Sequence, residues 1–309
     1  MKFLKPKFWN TKNNIFLIIL WPISILFYFI IFLRRVCIRS NKFKIPVICI
    51  GNIYVGGTGK TPLSIEIAKE LIILNKRPAI IKKFYKNQKD EHSMIQEKTN
   101  CLVLENNRIQ AIKKAERENF ELAILDDGFQ DHTIQKDLNI LCFNNKQLAG
   151  NELIFPAGPL REGLNSLKKA QIIIINGKKN EEFEKKIYNI SKNIKIFYSE
   201  YIPENIEQFE NKNLYAFAGI GNPNNFFELL SEYNLNVKKK IAFPDHYELS
   251  DDELDDIIEE SNKNNFEIIT TEKDFYRHKD RGFNKLKYLK INLKIYEKNK
   301  LINEILKHL

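Results

Sequence analysis

Val47-Ile48-Cys49-Ile50-Gly51-Asn52-Ile53-Tyr54-Val55-Gly56-Gly57-Thr58-Gly59-Lys60-Thr61-Pro62 is the stretch that decides the fold. Val47–Ile50 is a short apolar run of the buried-strand type, and it feeds a glycine-rich turn. From Thr61 to Leu74 the residues Leu63, Ile67, Leu71 and Leu74 recur on one helical face. Pro62 falls in the first turn of that helix, where a missing N–H is harmless. Strand, glycine turn and helix in this order make a phosphate-binding loop. Gly56, Gly57 and Gly59 let the backbone come close to phosphate oxygens, and Thr58 lies among them. The N–H groups of the loop then converge at a helix N-terminus. Lys60 is placed to reach the β- and γ-phosphates of ATP, and the Thr61 hydroxyl to ligate Mg²⁺. The usual spacing has a glycine where this chain has Tyr54, with Gly51 and Gly56 on either side. The first half of the loop is therefore expected to be built differently.

Downstream, Leu122-Ala-Ile-Leu-Asp126-Asp127-Gly-Phe-Gln130 is an apolar strand that ends in acid. Such a strand puts a carboxylate beside the phosphate loop, where Mg²⁺ needs oxygen ligands. Asp126 and Asp127 are both candidates for the metal. As neighbours they repel one another unless a cation or Lys60 lies between them. Further strands are expected at 79–81, 102–104, 140–143 and 172–175, with a helix over 109–118 and the charged run 181–186 as a solvated helix face. Continuous apolar strands alternating with helices imply a parallel sheet with helices on both faces, of the P-loop NTPase-like α/β class. Residues 199–212 read as a polar linker. A second, smaller α/β set follows, with strands at 214–218 and 266–270 and helices at 225–235 and 250–261; Ser250 and Glu253 form a capping box.

Upstream, Ile15–Leu33 is an uncharged apolar run of 19 residues. As a helix it would be about 28 Å long, enough for a bilayer core. Arg34 and Arg35 stand where a signal peptide would carry its cleavage site. The run therefore reads as a membrane helix that either spans or dips, with Pro22 as a point of bending. Basic residues on both flanks leave the orientation open. The net charge of +10 belongs mainly to this region: Lys2, Lys5, Lys7, Lys12, Arg34, Arg35, Arg39, Lys42 and Lys44 fall in residues 1–44, which hold no Asp or Glu. A basic excess beside an apolar segment points to an anionic membrane surface and away from nucleic acid. Cys37, Cys49, Cys101 and Cys142 have no metal spacing and read as reduced core residues of a cytosolic protein. The expected organisation is an anchor at 1–44, a nucleotide-binding domain at 45–205 and a second α/β domain at 206–309.

Three other patches have the make-up of recognition loops. They are Phe155-Pro-Ala-Gly-Pro-Leu-Arg161-Glu162, Phe243-Pro-Asp245-His246-Tyr247 and Thr270-Thr-Glu272-Lys273-Asp274. Together with GNIYVGGTGKTP, DDGFQ and AFAGIGNP they resemble, in the same order, the tetraacyldisaccharide 4′-kinase family. The resemblance implies transfer of the ATP γ-phosphate to the 4′-hydroxyl of a tetraacyl glucosamine disaccharide 1-phosphate, at the cytosolic face of the bacterial inner membrane, in lipid A assembly. It also implies two α/β/α domains joined by a hinge, with the active site in the cleft between them. It makes Asp90 the catalytic base working with His246, puts Glu91 among the metal ligands, and assigns Gln130 and Arg161 to the glycolipid. The family's Gly before the acidic pair is Lys89 here, and its Ser-Arg-Gly-Tyr run reads Lys82-Lys83-Phe84-Tyr85, expected as a loop. The partners implied are the membrane glycolipid and ATP, with no obligate protein partner. A membrane-associated P-loop NTPase that acts as a switch or motor on a protein is the competing reading. It predicts a switch-type threonine loop and, for GTP, an NKxD base-reading tetrapeptide, which this sequence lacks.

Overall fold

The computed structural model describes residues 6–11, 14–85, 88–245, 247–279 and 286–309. The elements in chain order are α1 (Ile15–Cys37), β1 (Val47–Gly51), α2 (Lys60–Ile73), β2 (Pro78–Lys83), α3 (Lys89–Thr99), β3 (Leu102–Glu105), α4 (Arg108–Arg117), β4 (Leu122–Asp126), β5 (Leu138–Asn144), β6 (Ile172–Asn176) and α5 (Glu181–Ile190). After these come β7 (Lys195–Pro203), β8 (Leu214–Ala218), α6 (Pro223–Glu232), β9 (Val237–Ala242), α7 (Asp251–Lys263), β10 (Glu267–Thr271), α8 (Glu272–His278), β11 (Lys287–Leu289), β12 (Ile291–Ile295) and α9 (Lys298–Leu306).

Two compact units form. The larger takes the described residues of Lys5–Phe84, Lys98–Glu200 and Leu293–Leu309; the smaller takes Tyr85–Glu97 and Tyr201–Asn292. A single division after residue 205, as the sequence suggests, differs from this at two places. Helix α3 belongs to the smaller unit although it lies between two strands of the larger sheet in sequence, and α9 belongs to the larger. Ion pairs account for α3: its Glu91 and Glu97 meet Lys273 and Lys279, both from the smaller unit.

The larger sheet has eight strands in the order β12-β7-β6-β5-β1-β4-β2-β3. The ladders from β6–β7 across to β2–β3 are parallel. Alternate strand residues face opposite ways. Val47, Cys49, Ala123, Leu125, Leu141 and Ile173 pack with Ala111 and Ile112 of α4 and Phe183 and Ile187 of α5. Helix α2 lies against β1, β2 and β4 and adds nothing to that cluster, so it covers the other face. Val47–Ile50 are essentially fully buried, and side chains of this kind stabilise by roughly 1.5–3 kcal/mol each.

The smaller sheet, β11-β10-β8-β9, is parallel throughout. Leu214, Ala216 and Ile269 pack with α6 through Phe226, Phe227 and Leu230. On the other face Tyr215, Phe217 and Ile268 pack with α7 through Leu254 and Ile257. The Ser250–Glu253 capping box is present.

Two local expectations change. Ser199–Pro203, expected within a linker, closes β7, whose Ser199 is buried and pairs with Asn176 of β6. Ser199 and Glu200 make the segment read as polar, yet its neighbours in the sheet carry the strand on. Lys82 and Lys83, expected in a loop, end strand β2, with Lys82 buried. Helix α1 runs unbroken past Pro22, with most of its large apolar side chains exposed, among them Ile18 and Phe29.

Candidate active site

Three neighbouring strands, β1, β4 and β2, bring their carboxyl ends together. This is where the chain changes direction across the sheet, since β2 and β3 lie to one side of β1 and β5–β7 to the other, and such points form crevices for ligands. The loop after β1 is fastened by Asn52, whose amide donates to the Gly56 carbonyl at 3.1 Å and to the Thr58 hydroxyl at 2.9 Å. Gly59 caps α2 with φ 90°, a left-handed backbone that glycine accepts without strain. Gly51 has a different task. A Cβ there would stand 2.5 Å from Cβ of Phe129, so the β1 end and the turn after β4 can meet only because Gly51 has no side chain. The missing glycine at Tyr54 is thereby explained: Tyr54 is buried in the core of the larger unit, and that part of the loop packs against protein.

Asp126, at the end of β4, accepts from the Thr61 hydroxyl at 2.9 Å and the Ser64 hydroxyl at 3.3 Å, and pairs with the Lys82 ammonium at 2.7 Å. Asp127 follows with φ 58°. This left-handed turn points its carboxylate away from Asp126, toward Lys60 at 3.6 Å and Arg161 at 3.0 Å. Arg108 donates to the Asp127 carbonyl at 2.8 Å. The expected repulsion between the two aspartates is thus relieved by separate cations. Burial pushes the Asp127 carboxyl up, but Lys60 and Arg161 outweigh burial and hold it below its ordinary value. Gln130 accepts from Arg161 at 3.3 Å and donates to the Asn52 carbonyl at 2.8 Å, linking the Arg161 loop to the phosphate loop.

The Arg161 loop is also tied to the apolar helix. Ser24 of α1 donates to the Ile154 carbonyl and accepts from the Ala157 amide, both at 2.9 Å, and Trp9 donates to the Pro156 carbonyl at 3.0 Å. A cavity of about 630 Å³ runs between α1 and this loop, lined by Ile25, Tyr28 and Phe32 on one side and by Arg161, Glu162 and Leu164 on the other.

In the smaller unit the Thr270–Asp274 segment opens α8. Arg277 donates to Asp90 Oδ2 from Nε at 3.1 Å and Nη2 at 2.5 Å. Its Nη1 donates to Asp274 at 2.6 Å and to the carbonyls of Tyr247 and Gly219 at 3.1 and 3.2 Å. Asp274 accepts from the Gly219 amide at 2.9 Å and the Thr271 hydroxyl at 2.6 Å. Burial is the largest influence on the Asp274 carboxyl and raises it above its usual value despite Arg277. Lys273 pairs with Glu91 at 2.9 Å and Asp245 at 3.5 Å. Burial alone would lower the Lys273 ammonium, yet Glu91 and Asp245 together raise it.

The family model for tetraacyldisaccharide-1-P 4′-kinase matches residues 16–309. The chain belongs to this family. A tetraacyldisaccharide 4′-kinase from Pelagibacter ubique is 43% identical over 99% of this chain and 98% of its own length. One from Rickettsia bellii is 32% identical, over 99% of both chains. A crystal structure of LpxK from Aquifex aeolicus in complex with ATP shares the fold at a TM-score of 0.73 and 24% identity, over 95% of this chain and 99% of that one.

Of the predicted site residues, Lys60, Asp127, Arg161 and Gln130 form one chain of contacts in the larger unit, and Thr61 pairs with Asp126 beside it. Asp90 and Glu91 belong to the Arg277–Lys273 network of the smaller unit. His246 lies outside the described residues. Asn52, Ser64, Lys82, Arg108 and Arg277 escaped the sequence reading. None of the five carries a local signal; Lys82, coming after an apolar run, reads as the end of a strand. Of the four cysteines expected in the core, Cys49, Cys101 and Cys142 are buried, but Cys37, at the end of α1, is exposed. Burial raises the Cys49 thiol to about 12, and Cys142 higher still, so neither is a thiolate near neutral pH.

Among the described residues no group of three or more His, Cys, Asp and Glu side chains is arranged to hold a metal. What the site does offer is a hydroxyl and a carboxylate within 2.9 Å of each other, Thr61 and Asp126, at the head of a phosphate loop. That donor set suits Mg²⁺, which keeps few protein ligands and takes the rest from phosphate and water.

Proposed function

We propose that this chain transfers the γ-phosphate of ATP to the 4′-hydroxyl of a tetraacyldisaccharide 1-phosphate in the bilayer. The observation that carries this is the connected set of Lys60, Asp127, Arg161 and Gln130 around the phosphate loop of a tetraacyldisaccharide 4′-kinase family member. Phosphoryl transfer needs little covalent chemistry from the protein; it needs positioned charge. Backbone N–H groups of Gly56–Thr61 cradle the phosphates and Lys60 neutralises charge on the transferred group. Thr61 and Asp126 are the residues that would hold Mg²⁺, with Asp127 and Glu91 as further candidates, and the ion would offset phosphate charge. An incoming phosphate gives Lys60 and Arg161 a better partner than Asp127, which is half-open to solvent at 34% side-chain exposure. Arg161, with its planar fork of donors, and Gln130 are then available to the glycolipid.

A sugar hydroxyl needs a base to take its proton. Asp90 is the candidate, oriented by Arg277, with His246 as its helper. Helix α1 keeps the enzyme at the membrane. Its apolar side chains are exposed on nearly every side, its 19-residue apolar window suits a bilayer core, and its Ser24 holds the Arg161 loop. The cavity beside α1 is apolar on its helix side, as acyl chains require. We place the enzyme on the cytosolic face of the inner membrane, where ATP is available, with an anchor, a nucleotide-binding domain and a second α/β domain.

The test is incubation of the purified protein with γ-³²P-ATP, Mg²⁺ and tetraacyldisaccharide 1-phosphate in mixed micelles. Label on the 4′ position of the lipid is the expected result. ATP hydrolysis with no labelled lipid would favour the switch or motor reading instead.

A further inference from the structure

Lys82 is a charged residue at the end of a buried strand, after Ile80 and Ile81, which are fully buried themselves. Its side chain is 6% exposed and that of Asp126 is 1% exposed. Its ammonium donates to Asp126 Oδ2 at 2.7 Å, the same oxygen that accepts from the Thr61 hydroxyl at 2.9 Å. The other carboxylate oxygen accepts from Ser64. A buried ammonium is costly unless a counter-charge and good hydrogen bonds compensate it, and here the counter-charge is the carboxylate best placed for a divalent ion.

We propose that Lys82 is a tethered counter-cation of the metal site: it holds Asp126 and Thr61 in place before a metal–nucleotide complex arrives, and it weakens the hold of Asp126 on the divalent ion. Both effects follow from one charge. Without metal, the ammonium satisfies a carboxylate that would otherwise be buried unpaired. With metal, two cations claim one carboxylate, and their mutual repulsion lowers metal affinity. Thr61 and the nucleotide oxygens then carry more of the binding. Release of the metal with ADP becomes easier in consequence. Lys82 acts through Asp126 and is a positioning residue.

The inference rests on the reading that the loop takes a metal–nucleotide complex, and the experiment separates the two. Mn²⁺ binding is measured by electron paramagnetic resonance in the presence of ADP, and melting is followed with and without Mn²⁺ and ADP. Lys82→Gln should bind Mn²⁺ about tenfold more tightly than wild type. It should melt lower than wild type without metal, and the gap should narrow when Mn²⁺ and ADP saturate it. Should Lys82→Gln fail to fold, Lys82→Met takes its place against wild type, since it fills the buried slot beside Ile80 and Ile81 without a charge, and it too should bind Mn²⁺ more tightly than wild type. Equal Mn²⁺ affinities of wild type and whichever variant folds overturn the inference while leaving the nucleotide reading intact. Absence of any ADP-dependent Mn²⁺ binding by wild type overturns that reading and the inference with it.

Discussion

The Asp127 cluster of the larger unit and the Arg277 cluster of the smaller are built to different specifications. At the phosphate loop, Asp127 and Arg161 keep side-chain exposures of 34% and 30%, and Lys60 stands 3.6 Å from its partner, beyond hydrogen-bond range. In the smaller unit, Arg277, Asp90 and Asp274 are 6%, 1% and 2% exposed, and each nitrogen of the guanidinium has an acceptor. Loose, half-open pairs can be exchanged for a ligand at small cost, because exposed ion pairs contribute little. A closed and fully bonded network cannot, because breaking it strands buried charge. The first cluster therefore has the character of a binding site and the second that of a mount, which fixes Asp90 and carries α3 with it.

This contrast is open to attack from several sides. Lys60→Ala should lower turnover by two orders of magnitude or more, about 3 kcal/mol of barrier or above, with little change in melting temperature, because Lys60 acts on transition-state charge and not on packing. Steady-state kinetics at saturating lipid and ATP, beside a melting curve, check both halves. Arg277→Ala should do the reverse in kind. It leaves Asp90 and Asp274 buried without their guanidinium, and should cost about 3–5 kcal/mol of stability. Hydrogen exchange should show the loss first in α3 and α8; uniform, minor exchange changes would mean that the network is no mount.

Much of the first cluster was readable in the sequence because it is contiguous. Strand, turn and helix follow one another from Val47 to Ile73, and Asp126 and Asp127 end a strand of unbroken apolar residues. The second cluster was not readable. Arg277 meets Asp90 across 187 positions, and nothing around either residue announces the other. Helix α3 is mostly polar, with Met94 and Ile95 as its buried apolar residues, so its periodicity is too faint to mark a helix or its allegiance. Lys82 misled for a different reason. A lysine after Ile81 signals the end of a strand unless a buried acid is waiting, and Asp126 lies 44 positions away.

The smallest expected effect concerns pH. The folded-state pKa of Asp127 is depressed by Lys60 and Arg161, so its pairing adds stability above its unfolded pKa, near 4, and that contribution is lost as pH falls through the lower folded value. Asp127→Asn should therefore be somewhat less stable than wild type at pH 7, and the two should converge in acid. Urea titrations at pH 7 and pH 3 measure this; a gap that stays constant would place the effect of the substitution in packing.

The proposed function assigns phosphate charge to the Lys60 loop and the acceptor proton to Asp90. Asp90→Asn tests it best, because the amide oxygen can still accept from Arg277 while the basic carboxylate is gone. Turnover and the ATP dissociation constant should be measured together on this variant. The account predicts that turnover falls by about a hundredfold or more, within the reach of lost general-base catalysis, while ATP affinity stays within about twofold of wild type. Turnover near wild type, or a loss of activity that follows a loss of ATP binding, would contradict it.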